Sequence, residues 1–186
     1  MIPPGLSFVA MSKKAWEANI HSDLPKFYLD LKAYQKTMQK DSNPFTPAVN
    51  LYFALEESLK MMQEEGLENI FERHQRHKLA TQAGMKGIGL SLFAKEGYGS
   101  PAITAIEPIG IDAEKIRAIV KDKFDILLAG GQDHLKGKIF RIGHLGFVSD
   151  RDILTAVASV EAALFSLNLL KNPMGAGVAA ASKLLV

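Results

Sequence analysis

The chain has 186 residues, 47% hydrophobic and 23% charged, with 22 Lys plus Arg against 20 Asp plus Glu and no cysteine. A formal net charge of +2 leaves no basic footprint for nucleic acid, and without thiols there are no disulfides, cysteine-ligated metals or cysteine nucleophiles. Met1–Gly5 has no basic n-region, Leu6–Met11 is too short for a signal core, and the apolar stretch Ile153–Leu170 carries Glu161 and Asn168, so the expectation is a cytoplasmic protein without a membrane span.

Leu6–Met11 is a short apolar run rich in strand formers and reads as a buried strand. Ser12 caps a helix over Lys13–Asn19, and a second helix is expected over Phe27–Gln39 with Phe27, Leu31 and Tyr34 on one side. Thr46-Pro47 is a helix start with Thr as N-cap and Pro at the first position. That helix runs to Glu65 with Leu51, Leu55, Leu59 and Met62 in register, and Gly66 stops it. Leu67–Ala83 is the next helix.

The pattern then changes. Ile88–Ala94 and Ala102–Glu107 read as strands. Asp112 caps a helix with Ile116, Ile119, Val120 and Phe124 inward. Asp125–Leu128 and Lys138–Ile142 read as strands around a Gly130-Gly131-Gln132 loop. Ser149-Asp150-Arg151-Asp152 approximates a capping box and opens a helix to Leu170. The Gly/Ala-rich tail from Asn172 is expected to fray at its end. The second half is therefore an α+β sandwich, a short antiparallel or mixed sheet with helices on one face. Residues 1–45, with one strand and no partner strand, read as the end of a larger domain. Residues 46–66 form a connecting helix, and residues 67–186 a small C-terminal domain.

Few residues carry chemistry. His74 and His77 stand i, i+3 on a helix within a charged stretch from Glu72 to Lys78, which reads as a solvated face. Gly130–Lys138 lacks the spacing of a phosphate loop and precedes a strand, so it reads as a turn. Arg141 lies in the apolar run Ile139-Phe140-Arg141-Ile142-Gly143. Its guanidinium either meets an anion, for which the rigid fork suits a carboxylate, or forms an internal ion pair or faces outward. Thr46 either caps its helix or, at a helix N-terminus that attracts anions, meets a phosphate.

Several segments together resemble one family. Pro3-Pro4-Gly5-Leu6-Ser7, Phe27-Tyr28-Leu29-Asp30, Thr46-Pro47-Ala48-Val49, Gly66-Leu67-Glu68-Asn69 and Gly130-Gly131-Gln132 through Arg141-Ile142-Gly143-His144-Leu145-Gly146 resemble segments of the class V aminotransferases, in the same order. These are the alanine–glyoxylate and serine–pyruvate aminotransferases that depend on pyridoxal 5'-phosphate (PLP). Some relatives carry the label of a soluble hydrogenase small subunit, which a chain without cysteine does not support as an activity.

The resemblance implies an α/β fold of the fold type I PLP transferases, with this chain as its C-terminal portion. It implies that the Schiff-base lysine lies just ahead of the Pro-Pro-Gly segment, before Met1, so the chain is expected to be inactive alone. Arg141 matches the arginine that binds the substrate α-carboxylate. Thr46 matches the threonine that reaches the PLP phosphate of the neighbouring subunit, which implies a homodimer in the intact enzyme. Asn43 stands where some members have a tyrosine on that phosphate. Amino-acid and 2-oxo-acid substrates follow, with alanine or serine as donor and glyoxylate or another 2-oxo acid as acceptor. The alternatives are a free-standing small-molecule-binding module and a structural partner that completes a lysine-bearing chain.

Overall fold

Short polar side chains set most of the helix starts. In the computed structural model, which describes residues 2–186, the chain divides into two units, one ending at Glu64 and one spanning Glu65–Val186.

In the first unit Ser12 caps α1 (Lys13–Ile20), its hydroxyl accepting from Ala15 N at 3.2 Å. Asp30 caps α2 (Leu31–Met38), accepting from Lys32 N at 3.1 Å. α2 thus starts four residues later than expected. Phe27–Asp30 closes a turn instead, with Asp30 N donating to Phe27 O at 3.3 Å. α3 (Val49–Glu65) also starts late. Val49 N donates back to Pro47 O at 2.9 Å, a tight turn that makes Ala48 the first carbonyl of the helix. Thr46 is therefore not its N-cap. Leu6–Met11 pairs with no strand among the described residues, and Phe8 and Val9 stand exposed, so the buried-strand reading is corrected. Its β propensity has no neighbouring ladder to satisfy within this chain. Phe45 gathers the rings of Phe27 at 5.3 Å and Tyr28 at 4.9 Å. No residue from 2 to 64 is buried.

The second unit holds the core. Gly66, at φ +84°, breaks the chain between α3 and α4 (Leu67–Gly87). The strands are β1 (Ser91–Leu92), β2 (Ile103–Glu107), β3 (Ala129–Gly130) and β4 (Phe140–Gly143), ordered β1-β2-β4-β3 with every pair antiparallel. α5 (Ala113–Phe124) is capped by Asp112, and α6 (Asp150–Ser166) opens on the expected capping box between Ser149 and Asp152. Ile106, Phe140 and Ile142 of the sheet are buried with Met85 of α4, Ile116 of α5 and Val157 of α6.

Three further expectations change. β1 is shorter than expected because Ile88 and Leu90 donate to Gly84 O and Met85 O, closing the end of α4. β3 lies at Ala129–Gly130 instead of 125–128, because Asp125 takes the left-handed conformation that ends α5 and the next three residues carry the chain to the sheet edge. The tail carries more structure than expected: α7 (Ala176–Ser182) packs on α4 and α6, with the exposed Leu184 and Val186 beyond it. The buried Glu161 of α6 accepts from Gly175 N at 3.0 Å and Gly177 N at 3.2 Å, satisfying amides that a short helix leaves open.

Candidate functional site

Strand alternation places Arg141. Phe140 and Ile142 turn into the helix-covered face, so Arg141 leaves from the other face. Its partners in register are Ala105 of β2 and Ala129 of β3. Both neighbours are alanines, and Arg141 is half-buried. Nε donates to Gly130 O at 3.0 Å. Among the described residues no carboxylate forms an ion pair with it. Of the readings open from the sequence, the internal ion pair is therefore excluded within these residues, and the fork's two terminal nitrogens remain available to an anion.

Thr46 lies in the first unit, three residues ahead of α3, and is exposed. Its hydroxyl makes no hydrogen bond among the described residues, so the capping role does not compete with a ligand role.

Sequence reasoning missed a polar network that secures the far end of Arg141's strand. Arg73 of α4 binds Glu65 by two hydrogen bonds of 2.5 and 2.9 Å and donates to Gly146 O at 2.8 Å. His74 Nδ1 lies 2.7 Å from Ile70 O, and its Nε2 accepts from Gly146 N at 3.0 Å, a pattern that suits the tautomer with its proton on Nδ1. His77 is fully buried, with Nε2 at 2.8 Å from Asp150 Oδ1, and Arg76 reaches the same carboxylate at 3.1 Å. The stretch 72–78 is thus not simply a solvated face: Arg73 and His74 pin the loop after β4 to α4, and His77 pins the start of α6. Among the described residues no three carboxylate or imidazole groups gather as metal ligands.

The electrostatics follow from burial and pairing. Burial pushes His77 below the ordinary histidine value, against the pull of Asp150. Burial raises the Asp150 carboxyl, but hydrogen bonds from His77 and Arg76 outweigh it and hold the group below the usual carboxylate range. The Arg73 hydrogen bond does the same for Glu65. His144, also fully buried and 2.9 Å from Thr104 Oγ1, is pushed down to about 4, chiefly by burial. The sequence pointed to Asp150 through the capping box and to His74 and His77 through their spacing, but not to the contacts they make. The partners of Asp150 lie more than seventy residues away.

No family model matches the chain. A Synechococcus protein named "Soluble hydrogenase, small subunit" is 61% identical over 185 residues, which cover 100% of this chain and 48% of that protein. An uncharacterized aminotransferase of Methanocaldococcus jannaschii is 45% identical over 180 residues, covering 95% of this chain and 47% of its own length. The crystal structure of ureidoglycine–glyoxylate aminotransferase from Bacillus subtilis is similar at TM-score 0.78 and 35% identity, covering 83% of this chain and 41% of that one.

Its relatives and structural neighbours are class V aminotransferases, a family that in general depends on PLP. The chain spans about half the length of the curated relatives it matches, corresponding to their C-terminal half, and its fold is that portion of the PLP aminotransferase fold. No helix among the described residues is long and apolar enough to cross a membrane.

Proposed function

We propose that this chain supplies the substrate-carboxylate arm and a phosphate contact of a PLP-dependent aminotransferase. The reaction moves an amino group from alanine or serine to glyoxylate or another 2-oxo acid. The observation that carries the reading is Arg141: a guanidinium flanked by Ala105 and Ala129 and tied, among the described residues, only through Nε to Gly130 O, with its terminal nitrogens unpaired there. A bidentate carboxylate fits such a fork, and holding the carboxylate fixes which face of the amino acid's Cα meets the proton-transferring base. Glyoxylate as acceptor draws support from the name of the Bacillus subtilis neighbour.

The residues present also fit the cofactor. When bound, PLP supplies an electron sink at the substrate's Cα. Thr46 offers an exposed, uncommitted hydroxyl close ahead of the N-terminus of α3, where free amides and the helix dipole favour a phosphate. On this reading Thr46 serves the neighbouring subunit of a homodimer. Residues 1–45 end the large domain, 46–66 connect, and 67–186 form the small domain. Turnover is proposed for the complete enzyme.

The test has two arms. The purified chain with PLP and an alanine/glyoxylate pair is expected to give no turnover and no visible absorption band that borohydride fixes at a single lysine. In the complete enzyme, Arg141→Ala is expected to lower kcat/KM by about 10²-fold, roughly 3 kcal/mol, mainly through amino-acid binding. Unchanged kinetics would reject the carboxylate role.

A further inference from the structure

Arg141 is held at the free edge of the sheet. β3 is two residues long and, among the described residues, pairs only with β4. Gly131 N donates to Ile139 O at 3.1 Å, so residues 131 and 129 turn their backbone groups toward β4. By the alternation of an antiparallel ladder, the carbonyls of Leu128 and Gly130 turn the other way, to the open edge. Such carbonyls need donors from outside the ladder.

Two arginines supply them. Arg141 Nε donates to Gly130 O at 3.0 Å, and Arg117 Nε donates to Leu128 O at 2.8 Å. They approach from opposite faces. Arg141 leaves the uncovered face of β4, whereas Arg117 belongs to α5, whose Ile116 and Val120 are buried in the core. The Arg117 guanidinium also pairs with Glu114 one turn earlier. It lies against Gly130: a Cβ placed there would stand 2.7 Å from its NH1 and 3.0 Å from Glu114 Oε1.

We propose that Arg117, braced by Glu114, is a positioning residue for Arg141 and acts through the β3 backbone. The proposal rests on the carboxylate role given to Arg141 above. An arginine side chain has many rotamers to lose, and the Nε bond to Gly130 O is what orients this one. That carbonyl sits on a two-residue edge strand, which a few ladder bonds hold weakly. Arg117 fixes the neighbouring carbonyl from behind, and glycine at position 130 leaves room for it. The fork then meets a carboxylate already oriented, which lowers the cost of ordering it on binding.

The Nε–H resonance of Arg141 reads this tie directly. In the complete enzyme labelled with ¹⁵N-arginine, Arg117→Ala is expected to speed exchange of that proton with water by about tenfold, as one hydrogen bond loosens. KM for glyoxylate is expected to rise about fivefold with a smaller change in kcat. Arg117→Lys keeps one donor for Leu128 O and is expected to recover part of both effects. Gly130→Ala, which displaces the Arg117 guanidinium, is expected to reproduce them. A purely structural role would lower the melting temperature while leaving the Arg141 signal and KM in place, and that result overturns the proposal. If Arg117→Ala does not fold, an unchanged signal in both Arg117→Lys and Gly130→Ala overturns it equally. Failure of the carboxylate reading is separate: it appears as an Arg141→Ala variant with normal KM, whatever Arg117 does to the Nε–H signal.

Discussion

The two units obey the same local rules and differ in what they bury. Before Glu65 the caps at Ser12 and Asp30 work as they do at Asp112 and Ser149. Yet no residue from 2 to 64 is buried, and Phe27, at 80% exposed, stands with Leu24, Leu29 and Met38 in solvent. After Glu65 a four-stranded sheet and its helices enclose Phe140, Ile106, Ile116, Val120 and Val157 completely. Capping fixes where a helix starts, whereas most helical stability comes from packing an apolar face. The first unit therefore has helices without a core, and the second has both.

Four measurements test this contrast. The largest effect is expected at Phe140. Phe140→Ala empties a fully buried site and should cost about 3–5 kcal/mol in urea unfolding of the second unit. A loss below about 1 kcal/mol would mean that the sheet–helix interface is not the stable part of the molecule.

The next is a pH effect. Burial keeps His144 neutral in the folded state down to about 4, while an unfolded histidine takes its proton near ~6.5. The unfolded state thus binds the extra proton in that window. Stability from this group is complete above the upper value and falls as pH drops toward the lower, by up to about 3 kcal/mol. His77, pushed down by burial as well, acts in the same direction. His144→Asn should flatten the stability profile between these pH values. A slope identical to the parent's would show that His144 is hydrated in the folded protein.

A smaller effect is expected at a helix crossing. Gly84 lies inside α4, where alanine is ordinarily better by about 1 kcal/mol. A Cβ there would stand 2.7 Å from Val157 Cγ2 of α6. Gly84→Ala should therefore destabilise the second unit by about 1–2 kcal/mol, read as a lower melting temperature. A rise would place α4 and α6 further apart. The smallest effect is expected in the first unit. Phe27→Ala removes an exposed ring whose contacts are with Phe45 and should cost under about 0.5 kcal/mol. A loss as large as that of Phe140 would mean that the aromatic cluster is covered in the intact protein, and the contrast between the units would disappear.

Much of the second unit was legible in the sequence. The order strand–strand–helix–strand–strand–helix, the cap at Asp112 and the capping box at Ser149 all rest on local patterns and are present. Arg141 stood out because a charge inside Phe140-Arg141-Ile142 needs a reason. Placement of β3 failed because a two-residue edge strand has no periodicity to detect. The late start of α3 was missed because a turn at Pro47 takes the backbone bonds that a cap at Thr46 would organise.

Local pattern accounts for the helix caps, the alternation that turns Arg141 away from the core, and the ordered motifs shared with the class V aminotransferases. These depend on residues a few positions apart. Long-range folding sets the rest. It brings Arg117 and Arg141 to one strand edge, and it gathers Arg73 and His74 around the loop after β4 and His77 at the start of α6. It also aims Glu161 at the amides of α7. Each of those contacts joins residues at least ten positions apart, and burial makes them count, because a polar group removed from water must find its partner wherever the chain has folded.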